Sequence, residues 1–242
     1  MHNSSNCLPY RDPFEIFPRG FTKMCSIWRN WYYPFHSIGK NVSFHHTSKV
    51  CCARASRISL GNSVSLKEYA WLNVATNVPT GEPIIVIEDN CKIGFGSILS
   101  AKNKIYVERD VLFGQMVLVL DHNHAYEDIA IPVLDQGVTE GGRIRIGRGT
   151  WIGHGACIIC SRGELTIGRN CVVAANSTVL QSVPDYAVVS GSPARVIRQF
   201  DCTRGAWVIG AMAGMSPVSV PGQFYGRFGL LNEDSISTQD VL

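Results

Sequence analysis

Residues 87–117 read IEDNCK IGFGSI LSAKNK IYVERD VLFGQM V, and an aliphatic side chain opens every block of six: Ile87, Ile93, Leu99, Ile105, Val111 and Val117. A helix repeats its apolar face near 3.6 residues and a half-buried strand near 2, so a sustained period of six calls for a solenoid in which each hexad forms one short side. With about a quarter of positions Ile, Leu or Val, such a run arises by chance on the order of once in several thousand starts.

The same spacing extends outward in both directions. It runs through Ile38, Phe44 and Val50, then Ile58 and Val64, and later through Ile146, Ile152 and Ile158, then Ile167, Val173 and Val179. Glycine often follows the aliphatic residue, at Gly39, Gly94, Gly147, Gly153 and Gly168, where a corner with positive φ carries no Cβ penalty. Small residues fall four after it, at Ser48, Asn62, Ser97, Thr150, Ala156, Cys171 and Ser177, and are expected inside a narrow prism. Glu68, Arg109 and Arg162 share that phase and must point outward. The step from Ile158 to Ile167 is nine residues, which predicts a three-residue bulge at a corner. A longer departure, 123–143, follows His122, and connections of that length are uncommon unless they serve a site.

The expected organisation is an N-terminal cap over residues 1–37, a coiled domain over 38–198 and a tail over 199–242 that is loosely ordered or forms an arm on a neighbouring subunit. The cap carries the aromatic cluster Trp28, Trp31, Tyr32, Tyr33 and Phe35, with a membrane-surface anchor as the alternative role. The chain has 242 residues with 22 Lys and Arg against 19 Asp and Glu, so overall charge predicts no basic cluster and no general pull toward nucleic acid or membrane. Met1–Tyr10 lacks the pattern of a secretory signal, and the apolar stretch Ala206–Met215 is too short to span a bilayer, so a cytoplasmic protein without a transmembrane segment is expected. Cys91 and Cys171 occupy the small-residue phase, which predicts reduced, structural thiols.

Three segments carry candidate chemistry. Asp121-His122-Asn123-His124 stands where the hexads stop, and an imidazole held there can take a proton from a hydroxyl near neutral pH, with Asp121 or a backbone carbonyl fixing its tautomer. Either His122 or His124 can fill that role, and both can equally serve only as hydrogen-bonding residues of the loop. Trp151, directly after the loop, can wall an acceptor cleft or pack beneath the loop, and Gly153 and Gly155 let a ligand approach the backbone. In Ser190-Gly-Ser-Pro-Ala-Arg195-Val-Ile-Arg198, two arginines three apart can meet one phosphate or remain a solvated surface. Tyr126, Glu127, Asp128 and Gln136 in the loop can hydrogen-bond a sugar or satisfy the loop's own backbone.

These hexads, together with Trp151-Ile-Gly-His-Gly-Ala156 and Gly191-Ser-Pro-Ala-Arg-Val-Ile197, resemble the hexapeptide-repeat acyltransferases over residues 38–198, in particular the sugar O-acetyltransferase branch with the maltose and galactoside acetyltransferases and exopolysaccharide-modifying relatives. The resemblance implies an all-β, left-handed parallel β-helix with a protruding loop, assembled as a homotrimer with active sites between subunits. It implies transfer of an acetyl group from acetyl-CoA to a hydroxyl of a sugar or polysaccharide precursor, with no metal. His122 is then the catalytic base ahead of His124, Asp121 its partner, and Trp151 the cleft tryptophan. Gly153, Ala156, Ala175, Arg195 and Arg198 become candidate acetyl-CoA contacts, and Gly153 N–H a candidate oxyanion donor. The pattern departs at Leu180-Gln181, where many relatives carry Thr-Lys. Two other readings use the same coil: a zinc-dependent hydratase of the γ-carbonic anhydrase type drawing on His122, His124 and His154, and a scaffold without activity.

Overall fold

The computed structural model describes residues 13–75 and 81–209, with side chains from Arg19 onward; residues 1–12, 76–80 and 210–242 lie outside the described residues. Among these residues the strands form three sheets of six, nine and six strands. The chain visits them in rotation as far as the strand Thr178–Val179. A first-face strand such as Lys104–Val107 is followed by a second-face strand, Leu112–Phe113, and a third-face strand, Leu118–Leu120. The next circuit, Arg143–Ile146, Trp151–Ile152 and Cys157–Ile159, pairs in parallel with the one before it. The backbone therefore winds around one core, each circuit hydrogen-bonded to the next across about 4.8 Å.

Ile87, Ile93, Leu99, Ile105, Val111 and Val117 all point into that core and are buried. Ser48, Ser97, Thr150, Ala156, Cys171 and Ser177 are buried with them, while Arg109 and Arg162 are exposed and Glu68 partly so. Asn62 departs from the expected set: it is exposed, and its amide donates to the Asp89 carboxylate of the next circuit.

The chain leaves the coil repeatedly at one corner, between the third and first faces. Here lie the 3-10 turn Cys52–Arg57, the long loop between Leu120 and Arg143, and the short link between Ile159 and Glu164. In one circuit that corner is reduced to Lys102-Asn103.

The glycines after the aliphatic residues are explained by packing and not by φ. Gly39, Gly94, Gly147, Gly153 and Gly168 are absent from the positive-φ residues, which occur two positions later at Asn41, Gly96, Gly149, Gly155 and Asn170. What excludes a side chain is the neighbouring circuit. A Cβ on Gly94 would lie 1.9 Å from the Gly114 carbonyl oxygen, and one on Gly153 would lie 2.6 Å from the Ala175 nitrogen. Gly94→Ala is therefore expected to force circuits apart and cost about 3 kcal/mol of stability, measured by chemical denaturation.

The two ends of the coil are finished differently. The helix Pro13–Tyr32 lies against the strand Ser43–Phe44, and its polar side chains satisfy the open edge of the first circuit. Ser26 Oγ accepts from Phe44 N–H (3.0 Å) and donates to Val42 O, Asn30 Nδ2 donates to Val42 O (3.0 Å), and Arg29 donates to His45 O and His46 O. The bonds to Phe44 N–H and Val42 O replace those that a preceding circuit would have made, and Arg29 ties the helix to the adjoining turn. At the far end, the antiparallel strands Ala194–Asp201 and Ala206–Ile209 extend the second face. The expected boundary at residue 198 falls inside the first of these strands, so residues 199–209 are ordered sheet and not tail. Pairing overrides weak periodicity there: Phe200 and Trp207 face one another across the hairpin with ring centroids 5.5 Å apart.

The described cysteines are free thiols. Cys157 and Cys160, three apart along the third face, differ in burial as strand alternation requires, with Cys160 inside. Burial pushes the Cys91 thiol up to about 12 and raises Cys160 and Cys171 as well, so these remain protonated and inert near neutral pH.

Candidate active site

Four residues after Val117 the inward, small-residue phase falls on Asp121, and the carboxylate is fully buried. A buried carboxylate needs donors. The tight link of the previous circuit supplies them: Lys102 N–H donates to Oδ1 (2.8 Å), and Asn103 and Lys104 N–H donate to Oδ2 (2.8 and 2.9 Å). The remaining position on Oδ1 is taken by His122 Nδ1 at 2.7 Å. An ionised carboxylate only accepts, so Nδ1 carries the proton and the lone pair of neutral His122 sits on Nε2. The imidazole is mostly buried, with 12 % of its side chain exposed.

Beyond His122 the chain rises as an arm whose base is clamped. Asn123 and Thr139 bond across it, Asn123 Nδ2 donates to Ser161 Oγ (2.6 Å), Asn103 Nδ2 donates to Glu140 O (2.8 Å), and Lys102 Nζ donates to Thr139 O. Gly142, at the return, leaves room for the Cys160 thiol, which a Cβ would meet at 2.4 Å. His124 lies on this arm, exposed, with Nδ1 3.3 Å from Gly137 O. No carboxylate accompanies its contact.

The arm residues expected to meet a sugar mostly hold the arm itself. Gln136 Nε2 donates to Asp128 O and Ile131 O (2.7 Å each) while its Oε1 accepts from Asp128 N–H. Asp128 Oδ1 accepts from Ala130 N–H, and Glu127 accepts from Tyr126 N–H and from Arg162 (3.0 Å). The N–H groups of Tyr126 and of Glu127 itself hold the exposed Glu127 carboxyl below its usual range, with Arg162 adding to them. Tyr126 is exposed.

Trp151 does not stand beside this loop. It points outward from the second face, between Leu112 and Val172 of the adjacent circuits, and the second face is the one that does not border the corner carrying His122. Gly153 N–H is donated to Val173 O (2.7 Å), so it is not an oxyanion donor, and the Ala156 side chain is buried in the core. Ala175, by contrast, is exposed. Arg195 and Arg198 pair with Ser190 and Val188, and the extra residue between them forms a bulge that turns both to one side of the sheet. The Arg198 guanidinium lies 5.8 Å from the centre of the Trp207 ring.

Among the described residues no three His, Cys, Asp or Glu side chains gather as a metal site, and His122, His124 and His154 form no such group. The feature that sequence reading passed over is the donor set of Lys102, Asn103 and Lys104. Its signal was available: an acid in an inward hexad position has to be paired.

Comparison with known proteins gives a consistent picture. The chain is 27% identical over 162 residues to the probable acetyltransferase Rv3034c of Mycobacterium tuberculosis, covering 66% of this chain and 49% of that one. It is 27% identical over 133 residues to the putative lipopolysaccharide biosynthesis O-acetyl transferase WbbJ of Escherichia coli, covering 52% and 66%. Its fold matches AntD, an N-acyltransferase from Bacillus cereus solved in complex with dTDP and 3-hydroxybutyryl-CoA, with a TM-score of 0.56 at 22% identity over 68% of this chain and 82% of that one. The chain resembles the hexapeptide-repeat acyltransferases. No family model matches it. The likeness to these acyltransferases is partial in length, since the chain spans about half to two thirds of the curated relatives it matches. Among the described residues no helix is long and apolar enough to cross a membrane.

Proposed function

We propose that the chain is an acetyl-CoA-dependent O-acetyltransferase that acts on a hydroxyl of a sugar or polysaccharide precursor, built as a left-handed parallel β-helix and working in the cytoplasm as a homotrimer. The observation that carries this reading is the Asp121–His122 pair, an imidazole with a preset tautomer at the foot of a clamped arm. The names of the relatives above supply the acyl chemistry.

The positions of the candidate residues favour a site between subunits. His122 and Trp151 lie on opposite sides of one protomer's coil, so a cleft that uses both requires a second copy. The outward column Leu112, Trp151 and Val172 suits an apolar arm of the donor, and Arg195 and Arg198, turned to one side, suit its phosphates. The bound donor supplies an activated thioester carbonyl. His122 Nε2 removes the proton of the acceptor hydroxyl as its oxygen attacks, and the Asp121 carboxylate stabilises the imidazolium that results. The same proton is then available to the departing thiolate. Binding both substrates in one cleft removes much of the entropic barrier.

Release of free coenzyme thiol from acetyl-CoA, followed across free sugars, nucleotide sugars and oligosaccharides, tests the proposal. Acceptor-dependent release is expected. Absence of release with every acceptor class, with zinc-dependent hydration of carbon dioxide in its place, would replace it by the hydratase reading.

A further inference from the structure

The helix Pro13–Tyr32 is turned inside out relative to an ordinary surface helix. Its protein-facing positions are Thr22, Cys25, Ser26, Arg29 and Asn30, most of them polar because they complete the open edge of the first circuit. Its outward positions are Met24, Ile27, Trp28, Trp31 and Tyr32, all exposed, with Trp31 at 82 %. A shallow groove along this outer side is lined by Gly20, Lys23, Met24, Ile27, Trp28 and Trp31. Solvated helices do not keep such a stripe without a partner.

Charge identifies the partner. Residues 16–67, which run from this helix through the first circuit into the second, hold eight of the 22 Lys and Arg and none of the 19 Asp and Glu. Of these cations Lys23 lines the groove itself and Arg19 stands one turn before it, while Arg29 faces the coil; Glu68 lies on the coil side of the helix. The balanced net charge of the whole chain conceals this cluster, and the expectation that no basic cluster exists is corrected by it. A second copy packed symmetrically on the stripe would bring cation against cation. An anionic surface removes that conflict. Trp and Tyr beside Lys and Arg are the side chains that settle at the headgroup level of a bilayer, where an amphipathic helix lies flat without crossing. At 20 residues this helix has the length of a membrane span but not the hydropathy, since no helix among the described residues is long and apolar enough to cross.

We propose that the outer face of this helix docks the protein on an anionic phospholipid bilayer, with Trp31, Ile27 and Met24 entering the headgroup boundary and Lys23 among the cations that meet lipid phosphates. The proposal is independent of the reaction assigned to His122.

The test is co-sedimentation of the full chain with phosphatidylcholine vesicles, with and without about 30 % phosphatidylserine. Binding to the anionic vesicles is expected to exceed binding to neutral ones by at least about 10-fold and to fall as salt rises. The double variant Ile27→Ser/Trp31→Ser is expected to lose binding by about 10-fold or more, and Lys23→Glu to weaken it. Neither double-variant position takes part in the edge hydrogen bonds, so the unfolding midpoint should stay unchanged; Trp28 is left intact because it stacks on Tyr32 at 4.9 Å. Failure to sediment with anionic vesicles overturns the proposal, as does binding indifferent to the double substitution. So does a concentration-dependent oligomer that the double variant disperses while vesicles remain unbound, since the stripe would then serve a second copy.

Discussion

His122→Ala lowers acceptor-dependent coenzyme release by about 10²- to 10⁴-fold, the range that a positioned general base contributes, while the unfolding midpoint moves little. The second half of this expectation follows from Asp121. With the imidazole gone its carboxylate still accepts three backbone N–H groups, from Lys102, Asn103 and Lys104, so no buried charge is stranded. The loss should appear in kcat with KM for acetyl-CoA nearly constant, because the imidazole acts on a proton and not on donor binding. His124→Ala provides the contrast. Its ring is exposed and its hydrogen bond among the described residues is to the Gly137 backbone carbonyl, so that variant should retain activity within a few-fold. If the two variants exchanged behaviour, the base would be His124 and the buried pair a structural device.

The period of six was sufficient to place the core, because each inward residue depends only on its position within one side of the coil. Ile87, Ile93, Leu99, Ile105, Val111 and Val117 are all buried for that reason. The same counting does not say which of three sides a residue occupies once insertions intervene. His122 and Trp151 both end a hexad, yet His122 stands at the corner between the third and first faces and Trp151 on the second face, and the expected contact between Trp151 and the loop disappears. Glycine was legible as a requirement but not as a cause. The carbonyl that forbids a side chain at Gly94 comes from Gly114, a circuit away, which no local pattern displays. Gln136 and Asp128 were ambiguous in sequence because their partners are set by the path of the arm, and the arm uses them for its own backbone. The N-terminal helix shows the limit most clearly. Residues 1–37 are off the hexad period, and which face of a helix is apolar does not reveal which face is packed when an open sheet edge demands polar side chains.

Asp121→Asn is expected to damage stability and catalysis together, and the reason is the acceptor count. The carboxylate receives four donors on two oxygens, whereas an amide offers one oxygen and one NH₂. If the oxygen keeps the Asn103 and Lys104 N–H groups, the NH₂ faces Lys102 N–H and His122 Nδ1. The ring can answer only by accepting at Nδ1, which moves its proton to Nε2 and removes the base. If the amide turns over, the NH₂ meets two backbone donors inside a closed site. Either arrangement leaves at least one buried N–H without an acceptor, at a cost of about 3 kcal/mol once the lost charge is included. Activity should fall by about 10⁴-fold, as it does where a carboxylate sets the tautomer of a catalytic imidazole. Chemical denaturation and thiol-release kinetics on the same preparation separate the two effects: the rate loss should persist at low temperature and without denaturant, where the variant is folded. A variant as active and as stable as the parent would show that the carboxylate neither staples the corner of the previous circuit nor orients His122.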